Sequence, residues 1–157
     1  MDEDAINLSA GEVMLARLLA SLRTGLNRVT KVKSTKSGDA DLFQNEILGV
    51  AGEIAFAKSR NLYLDLSFDP RKGGTDFVLN GKKIDIKTTE REDGRLLVPI
   101  WKTPDDSDIF VLITGKVPTF KIRGFATSKE VFANKTSVGY GPCYAVSQNK
   151  LHPMTEL

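Results

Sequence analysis

The dipeptide Asn80-Gly81 lies between two strand-forming runs and constrains the fold of this chain more than any other feature. An Asn-Gly pair flanked by β-rich segments indicates a two-residue type I′ turn, because both positions of that turn need a positive φ. In the resulting hairpin each strand residue has one defined partner, and Asp76 faces Asp85. Residues 75–87 are therefore predicted to form an antiparallel hairpin of fixed register.

This register brings two carboxylates together. Side chains alternate along a strand, so Asp76, Asp85 and Lys87 are expected on one face of the hairpin. The opposite face is expected to carry Phe77, Ile84 and Ile86. Like charges directly opposite each other destabilise a sheet, and a hard divalent cation bound by oxygen ligands would relieve that repulsion. A solvated hairpin edge, which is common in soluble proteins, is the alternative interpretation.

Composition narrows the class of protein. The chain has 157 residues, of which 41% are hydrophobic and 27% charged, values typical of one soluble globular domain. No apolar run approaches the roughly 18 residues that a transmembrane helix needs. The net charge of +2 is too small to indicate nucleic-acid binding by itself. The acidic start MDED is unlike a secretion signal, and together with the single cysteine, Cys143, it predicts a reducing, cytoplasmic setting.

Several catalytic chemistries are excluded by residues that the sequence lacks. One cysteine cannot form an internal disulfide or a multi-cysteine zinc site, and the single histidine, His152, cannot form a histidine-rich metal site. The sequence contains no GxSxG nucleophile elbow, no Walker-type phosphate loop and no GxGxxG motif. His152 is accordingly predicted to be a surface or packing residue.

A first helix is predicted over residues 9–24. Ser9 and Glu12 have the spacing of a capping box, and Gly25 suits the residue after the helix end. The predicted apolar stripe consists of Leu15, Leu18, Leu19 and Leu22.

A second helix is predicted over roughly 42–60, ending near Asn61. Its apolar residues follow helical spacing: Phe43, Ile47, Val50, Ala51, Ile54 and Ala57. Glu46 and Glu53 lie two turns apart on the edge of this stripe. Gly49 and Gly52 each weaken the helix by about 1 kcal/mol relative to Ala, which is tolerated best where something approaches the backbone closely.

The remainder of the sequence is rich in strands. Strands are predicted over 62–68, 95–101, 109–114, 120–126 and 144–146. Ser128 is expected to cap a short helix that runs through Phe132. We expect one α/β or α+β domain around one mixed sheet. It would comprise an N-terminal helix and basic loop (1–38), a motif-bearing core (39–115), and C-terminal strands and tail (116–157).

Three segments resemble the PD-(D/E)XK nuclease superfamily: Gly52-Glu-Ile-Ala-Phe-Ala-Lys58, Gly74-Thr-Asp76 and Ile84-Asp-Ile-Lys-Thr-Thr89. The likeness spans about residues 42–114, roughly half the chain. It implies a restriction-endonuclease-like fold, in which a mixed central sheet is flanked by helices. The sequence departs from the usual pattern in two places, because Asp76 follows Gly-Thr rather than Pro and segment 102–107 is too short for a substantial helix.

The resemblance also implies an active site. Residue by residue, Asp76 matches the first Asp of the motif, Asp85 the (D/E), Lys87 the Lys, and Glu53 the helix carboxylate that often joins the metal site. Asp76, Asp85 and Glu53 would hold Mg²⁺, with the carbonyl of Ile86 as a neutral ligand and Mn²⁺ able to substitute. Lys87 would position water or stabilise developing charge, and its ammonium is expected to keep both aspartates ionised.

Further residues are assigned less direct roles. Glu46 would support the metal ligands from one helical step away, and a solvated helix glutamate is the alternative. Contacts to the nucleic-acid backbone are expected from Arg28, Lys31, Lys33, Lys36, Arg71, Lys72, Thr88 and Thr89. Solvated surface is the alternative for each of the two basic runs.

The function implied by the resemblance is a Mg²⁺-dependent DNA endonuclease in the cytoplasm of a bacterial or phage-infected cell. Resolvase, restriction or homing, and repair types all remain open. A homodimer is expected if both strands of a duplex are cut, and no membrane contact is expected. The alternatives are a non-catalytic nucleic-acid-binding or regulatory module on the same fold, and a structural protein whose hairpin charges are coincidental.

Overall fold

The structure, a computed structural model, describes residues 3–29, 39–66, 75–139 and 141–157. Within these ranges the chain is mixed α+β. Its elements are β1 (Ile6–Asn7), α1 (Ala10–Val29), α2 (Asp39–Arg60), β2 (Phe77–Leu79), β3 (Lys82–Thr89), β4 (Leu96–Pro99), β5 (Ile109–Lys116), β6 (Thr119–Thr127), α3 (Ser128–Phe132), β7 (Lys135–Val138) and β8 (Gly141–Val146). None of the described helices has the length and apolar character needed to cross a membrane.

The strands form two sheets, where the sequence predicts one. A five-stranded mixed sheet has the order β1-β6-β5-β3-β2, and a three-stranded antiparallel sheet has the order β4-β8-β7. Only the pairing of β3 with β5 is parallel among the described strands. Parallel neighbours need a crossover connection, and here the chain makes it through β4 of the small sheet.

The large sheet has an apolar core on each face. On one face, Ile84, Ile86 and Val111 join a cluster with the apolar residues of α2. On the other face, Phe110 and Leu112 join a cluster with the small sheet. Each fully buried side chain of this size stabilises the fold by about 1.5–3 kcal/mol. The apolar stripe predicted for α2 is confirmed, and α2 lies against the face formed by the isoleucines of β3.

The stripe predicted for α1 is wrong except at one position. Ala16, Leu19 and Ala20 are buried against the core, whereas the remaining predicted leucines point outward. The exposed residues of this helix include Met14, Leu15, Leu18 and Leu22. Small side chains let α1 approach α2 closely, so the buried face is the one with the alanines. The helix also continues past Gly25 to Val29.

Two further expectations need correction. No strand forms over 62–66, the described part of the segment predicted as a strand. Asn61 has a φ of 53°, and Leu62 N–H donates to the carbonyl of Ala57 at 2.9 Å, which is the pattern of a helix end with a left-handed residue. The short helix α3 is capped by Thr127 rather than Ser128. Strands β1 and β7 were not predicted.

Candidate active site

The turn of the predicted hairpin and the three strand pairs beside it form as predicted, but the predicted pair of Asp76 with Asp85 does not, because β2 begins only at Phe77. Asn80 and Gly81 have φ values of 51° and 77°, and Phe77 pairs with Ile84 in the expected register. The turn chemistry alone therefore fixes which residues of β3 lie beside the end of β2.

Asp76 precedes the first residue of β2 and does not pair with β3 as a strand residue; its side chain lies over the edge of β3 instead. Its N–H donates to the carbonyl of Ile84 at 3.0 Å, and its carboxylate Oδ2 accepts a 2.7 Å hydrogen bond from the N–H of Ile86. The N–H and C=O of one strand residue point to the same edge, so the Ile86 carbonyl also points toward this edge. The carboxylate therefore occupies the position where a longer β2 would have continued the sheet.

Asp85 is buried on the face of β3 that packs toward the small sheet. Only 2% of its side chain is exposed. Its Oδ1 contacts the ammonium of Lys87, and its Oδ2 contacts the ammonium of Lys102 at 2.5 Å. The predicted pair of Asp85 and Lys87 is thus joined by a second lysine that sequence reasoning did not identify.

Lys102 comes from the turn after β4. The turn is closed by the N–H of Lys102, which donates to the carbonyl of Pro99 at 3.1 Å. The lysine side chain is only 5% exposed, and its Nζ lies 5.7 Å from the ring centroid of Trp101. No short-range pattern marks this residue, because its partner lies 17 positions earlier in the sequence.

Glu53 of α2 is bound by an arginine of α1. Both carboxylate oxygens of Glu53 accept hydrogen bonds of 2.9 Å from the guanidinium of Arg23, and Glu46 Oε1 lies 3.9 Å from the same group. Burial lowers the pKa of Arg23, but Glu53 and then Glu46 raise it by more, and the net shift is upward. Arg23 continues the buried stripe of Ala16 and Leu19, and that spacing is the signal that could have revealed it.

The negative charges of Glu53 and Asp85 both act on the carboxyl group of Asp76. Burial, then the charges of Glu53 and Asp85, raise the pKa of Asp76 well above its usual range. Lys87 and the N–H of Ile86 act in the opposite direction and are outweighed. The expectation that the lysine dominates the ionisation of Asp76 is therefore wrong, because desolvation and two nearby negative charges raise its pKa by more than Lys87 lowers it.

The implied magnesium ion fits part of the predicted ligand set. Among the described residues, no group of three or more His, Cys, Asp or Glu side chains is arranged to hold a metal. Asp76 and Asp85 remain close enough for their charges to interact, and the Ile86 carbonyl points toward the same edge. Two carboxylates, a carbonyl and waters fit Mg²⁺, which keeps several waters when it binds protein. Both oxygens of Asp85 contact lysines and both oxygens of Glu53 bond Arg23, so a metal ion would compete with a bound cation at either carboxylate.

Most of the basic residues expected to contact nucleic acid lie outside the described residues. These are Lys31, Lys33, Lys36, Arg71 and Lys72, together with the side chain of Arg28.

The two predicted threonine contacts lie on opposite faces of β3. The hydroxyl of Thr88 is buried beneath α2 and makes no hydrogen bond within the described ranges, so it does not face solvent. The hydroxyl of Thr89 accepts a hydrogen bond from the N–H of Arg91 at 3.3 Å. Of the two, only Thr89 is placed where a phosphate contact is compatible with the packing.

A cationic cleft lies at the far end of β4 from Lys102. It has a volume of about 200 Å³, and Arg95, Lys135 and Lys150 line it together with Asn134, Thr136 and Ser147. Three cations and several polar groups around a concave surface suit an anion such as phosphate.

Comparisons with protein-family models, with curated proteins and with solved structures find no match to this chain.

Proposed function

We propose that this chain is a metal-dependent DNA endonuclease with a restriction-endonuclease-like fold. The observation that carries the proposal is the placement of Asp76, which the N–H of Ile86 holds at the edge of β3 beside Asp85 and Lys87. Two acidic residues and a lysine at the edge of a sheet provide oxygen ligands and a positive charge at one place. Phosphodiester hydrolysis needs both.

Each residue has a distinct part in this proposal. Lys87 is 25% exposed, so its ammonium can leave Asp85 and donate to a phosphate oxygen at low cost. Asp76 accepts the Ile86 N–H at Oδ2, which fixes the orientation of its carboxylate at the edge of β3. Arg23 fixes Glu53 beside them.

Bound Mg²⁺, held by Asp76, Asp85 and the Ile86 carbonyl, would supply Lewis-acid stabilisation of the phosphate and an activated water. The protein side chains would orient the ligands and exclude bulk water from the buried face of Asp85, which strengthens the electrostatic interactions there.

We propose that the cleft lined by Arg95, Lys135 and Lys150 contacts the DNA backbone. Replacing Lys135 and Lys150 by Ala should weaken binding to all DNA sequences alike, and the slope of log affinity against log salt should fall by about 1 for each phosphate that the variant no longer neutralises. Lys116→Ala, on the exposed end of β5, is the matched control. An unchanged slope in the double variant would remove the cleft from the interface.

We also propose a homodimer as the working form, because each chain carries one site and two chains together would present one site to each strand of a duplex. The outward residues Met14, Leu15, Leu18 and Leu22 of α1 give a second copy an apolar surface to cover. Light scattering during gel filtration should show a dimer that Leu18→Glu converts to a monomer. A monomeric wild type at micromolar concentration would contradict the proposal.

The catalytic proposal is tested with plasmid, linear, branched and single-stranded DNA in Mg²⁺ or Mn²⁺. The wild type should cleave at least one substrate, and Asp85→Asn and Lys87→Met should each lose about 100-fold or more. Lys82→Met, an exposed position on the same hairpin, should cleave normally. Cleavage that survives both site substitutions would rule out this site.

A second candidate is a non-catalytic nucleic-acid-binding module on the same fold. Two ion-paired carboxylates favour it. The oxygens of Asp85 contact Lys87 and Lys102, and Glu53 pairs with Arg23, so both acids have cationic partners without a metal. Binding of DNA by the wild type without cleavage of any substrate in either metal would select this candidate.

A further inference from the structure

We propose that Lys102 is a positioning residue that holds Asp85 and sets how strongly the site binds a divalent metal. The inference rests on the proposed function, because it concerns the same site. Lys102 lies outside the motif residues and belongs to a turn that connects the two sheets. Its Nζ lies 2.5 Å from Asp85 Oδ2, and both residues are buried.

The two lysines on Asp85 are not equivalent. The side chain of Lys87 is 25% exposed and that of Lys102 only 5%. Water can solvate the ammonium of Lys87 when it leaves the carboxylate, whereas withdrawing Lys102 would separate two charges that are both shielded from water, which is unfavourable. Lys102 is therefore the more permanent neighbour of Asp85.

The oxygens of Asp85 already have cationic neighbours. Its Oδ1 contacts the ammonium of Lys87 and its Oδ2 contacts that of Lys102. A divalent ion bound to Asp85 adds two positive charges to this set. It must either displace an ammonium from an oxygen of Asp85 or bind within a few ångströms of one.

Both routes weaken metal binding through Lys102. If the ion takes Oδ2, it competes directly with the ammonium. If the ion takes Oδ1, the ammonium on the other oxygen of the same carboxylate repels it. The same ammonium compensates the negative charge of Asp85, which lies near other carboxylates. Lys102 is therefore expected to stabilise the folded protein and also to lower its affinity for a divalent metal.

Lys102→Met separates these two effects, because Met keeps most of the side-chain volume and removes the charge. Thermal unfolding is measured in EDTA and then in a Mn²⁺ titration, with isothermal calorimetry as the direct measure of Mn²⁺ binding. We expect Lys102→Met to unfold at a lower temperature in EDTA. We also expect it to bind Mn²⁺ roughly tenfold more tightly than the wild type, a modest part of the Coulomb energy between charges this close.

A purely structural lysine would behave differently. Its removal would lower the unfolding temperature in EDTA and leave the Mn²⁺ affinity as it is. Lys82→Met, on the exposed part of the same hairpin, controls for the loss of one positive charge from the protein as a whole.

Lys102→Arg provides a second test if Lys102→Met does not fold. Its guanidinium keeps the charge and can hold both oxygens of a carboxylate, so this variant should bind Mn²⁺ no more tightly than the wild type. Tighter binding by Lys102→Arg would overturn the inference.

The outcomes distinguish this inference from the proposed function. A wild type that binds no Mn²⁺ would overturn both. A wild type whose Mn²⁺ binding is lost in Asp85→Asn but equally strong in Lys102→Met would overturn the role of Lys102 alone and leave the proposed endonuclease intact.

Discussion

A Cβ atom on Gly52 of α2 would lie 2.0 Å from the hydroxyl oxygen of Thr88 on β3, so the helix approaches the strand at a distance that only glycine allows. Rotation of the threonine would not make room, because its own Cβ would be 3.0 Å away. This close approach brings Glu53, the next residue of the helix, toward the edge of β3 where Asp76 lies.

Gly52→Ala is therefore expected to destabilise the protein by about 1–3 kcal/mol, because an overpacked contact outweighs the better helix propensity of alanine. Gly49→Ala is the matched control on the same helix, since nothing lies within 4 Å of its added Cβ. That control should be neutral or stabilising by up to about 1 kcal/mol. Urea unfolding of both variants tests the prediction, and equal effects would contradict it.

Asp76→Asn is expected to stabilise the protein in EDTA at neutral pH. Burial, Glu53 and Asp85 raise the pKa of Asp76. The protonated carboxyl therefore stabilises the folded protein fully below the ordinary pKa of 3.8, and this stabilisation is lost as pH rises through the raised pKa. Asparagine keeps an acceptor for the Ile86 N–H and carries no charge.

The gain from Asp76→Asn should accordingly shrink as the pH is lowered toward 3.8, where the wild-type carboxyl is itself protonated. Thermal unfolding across this range measures it. Asp105→Asn on an exposed turn controls for the change in net charge. A stabilisation that does not depend on pH would show that Asp76 is not the group responsible.

Arg23→Gln should destabilise the protein by about 1–3 kcal/mol, because it leaves the largely buried Glu53 beside Asp76 without its counter-ion. Arg17→Gln, at an exposed position of the same helix, should change little. The double variant Arg23→Gln with Glu53→Gln should recover part of the loss, and chemical unfolding of the wild type, both single variants and the double variant gives the coupling energy. Additive losses would argue against the pairing.

The single histidine offers a prediction outside the site. His152 Nε2 lies 2.7 Å from Glu130 Oε1, and its Nδ1 lies 3.3 Å from Glu156. The hydrogen bond with Glu130 raises the pKa of His152 above its ordinary value of 6.5. The pairing therefore stabilises the folded protein below pH 6.5, and this stabilisation is lost as pH rises through the raised pKa.

Glu130→Gln should lower the pKa of His152 while Gln keeps the capping-box role at α3. Proton NMR follows the titration without ambiguity, because the chain has one histidine. Glu92→Gln, at a residue that pairs with Arg123 instead, serves as the control. An unshifted titration in Glu130→Gln would refute the pairing.

Local features of the site could be predicted from the sequence. The Asn80-Gly81 turn determined the register of the hairpin, and helical spacing identified the buried face of α2. A close approach to the backbone was expected at Gly49 and Gly52; Thr88 makes it at Gly52, and nothing does so at Gly49. Each of these depends on residues close together in the chain.

Long-range features could not be predicted. Lys102 reaches Asp85 because the connection between β3 and β5 passes through a strand of the small sheet. Pairing between strands that are distant in the chain produces no periodic pattern in the sequence from which this contact could be inferred. The buried face of α1 was assigned to leucines because hydrophobicity alone ranks them above alanines. The raised pKa of Asp76 depends on burial, which a sequence does not give.

The crossover through β4 restricts how a chain of this architecture can evolve. Lys102 lies three residues beyond the end of β4, so inserted residues between Pro99 and Lys102 would move its ammonium away from Asp85. The outer strand β7 has no such tether to the site among the described residues. Related proteins are therefore expected to vary in length around β7 and to keep the spacing after β4 unchanged.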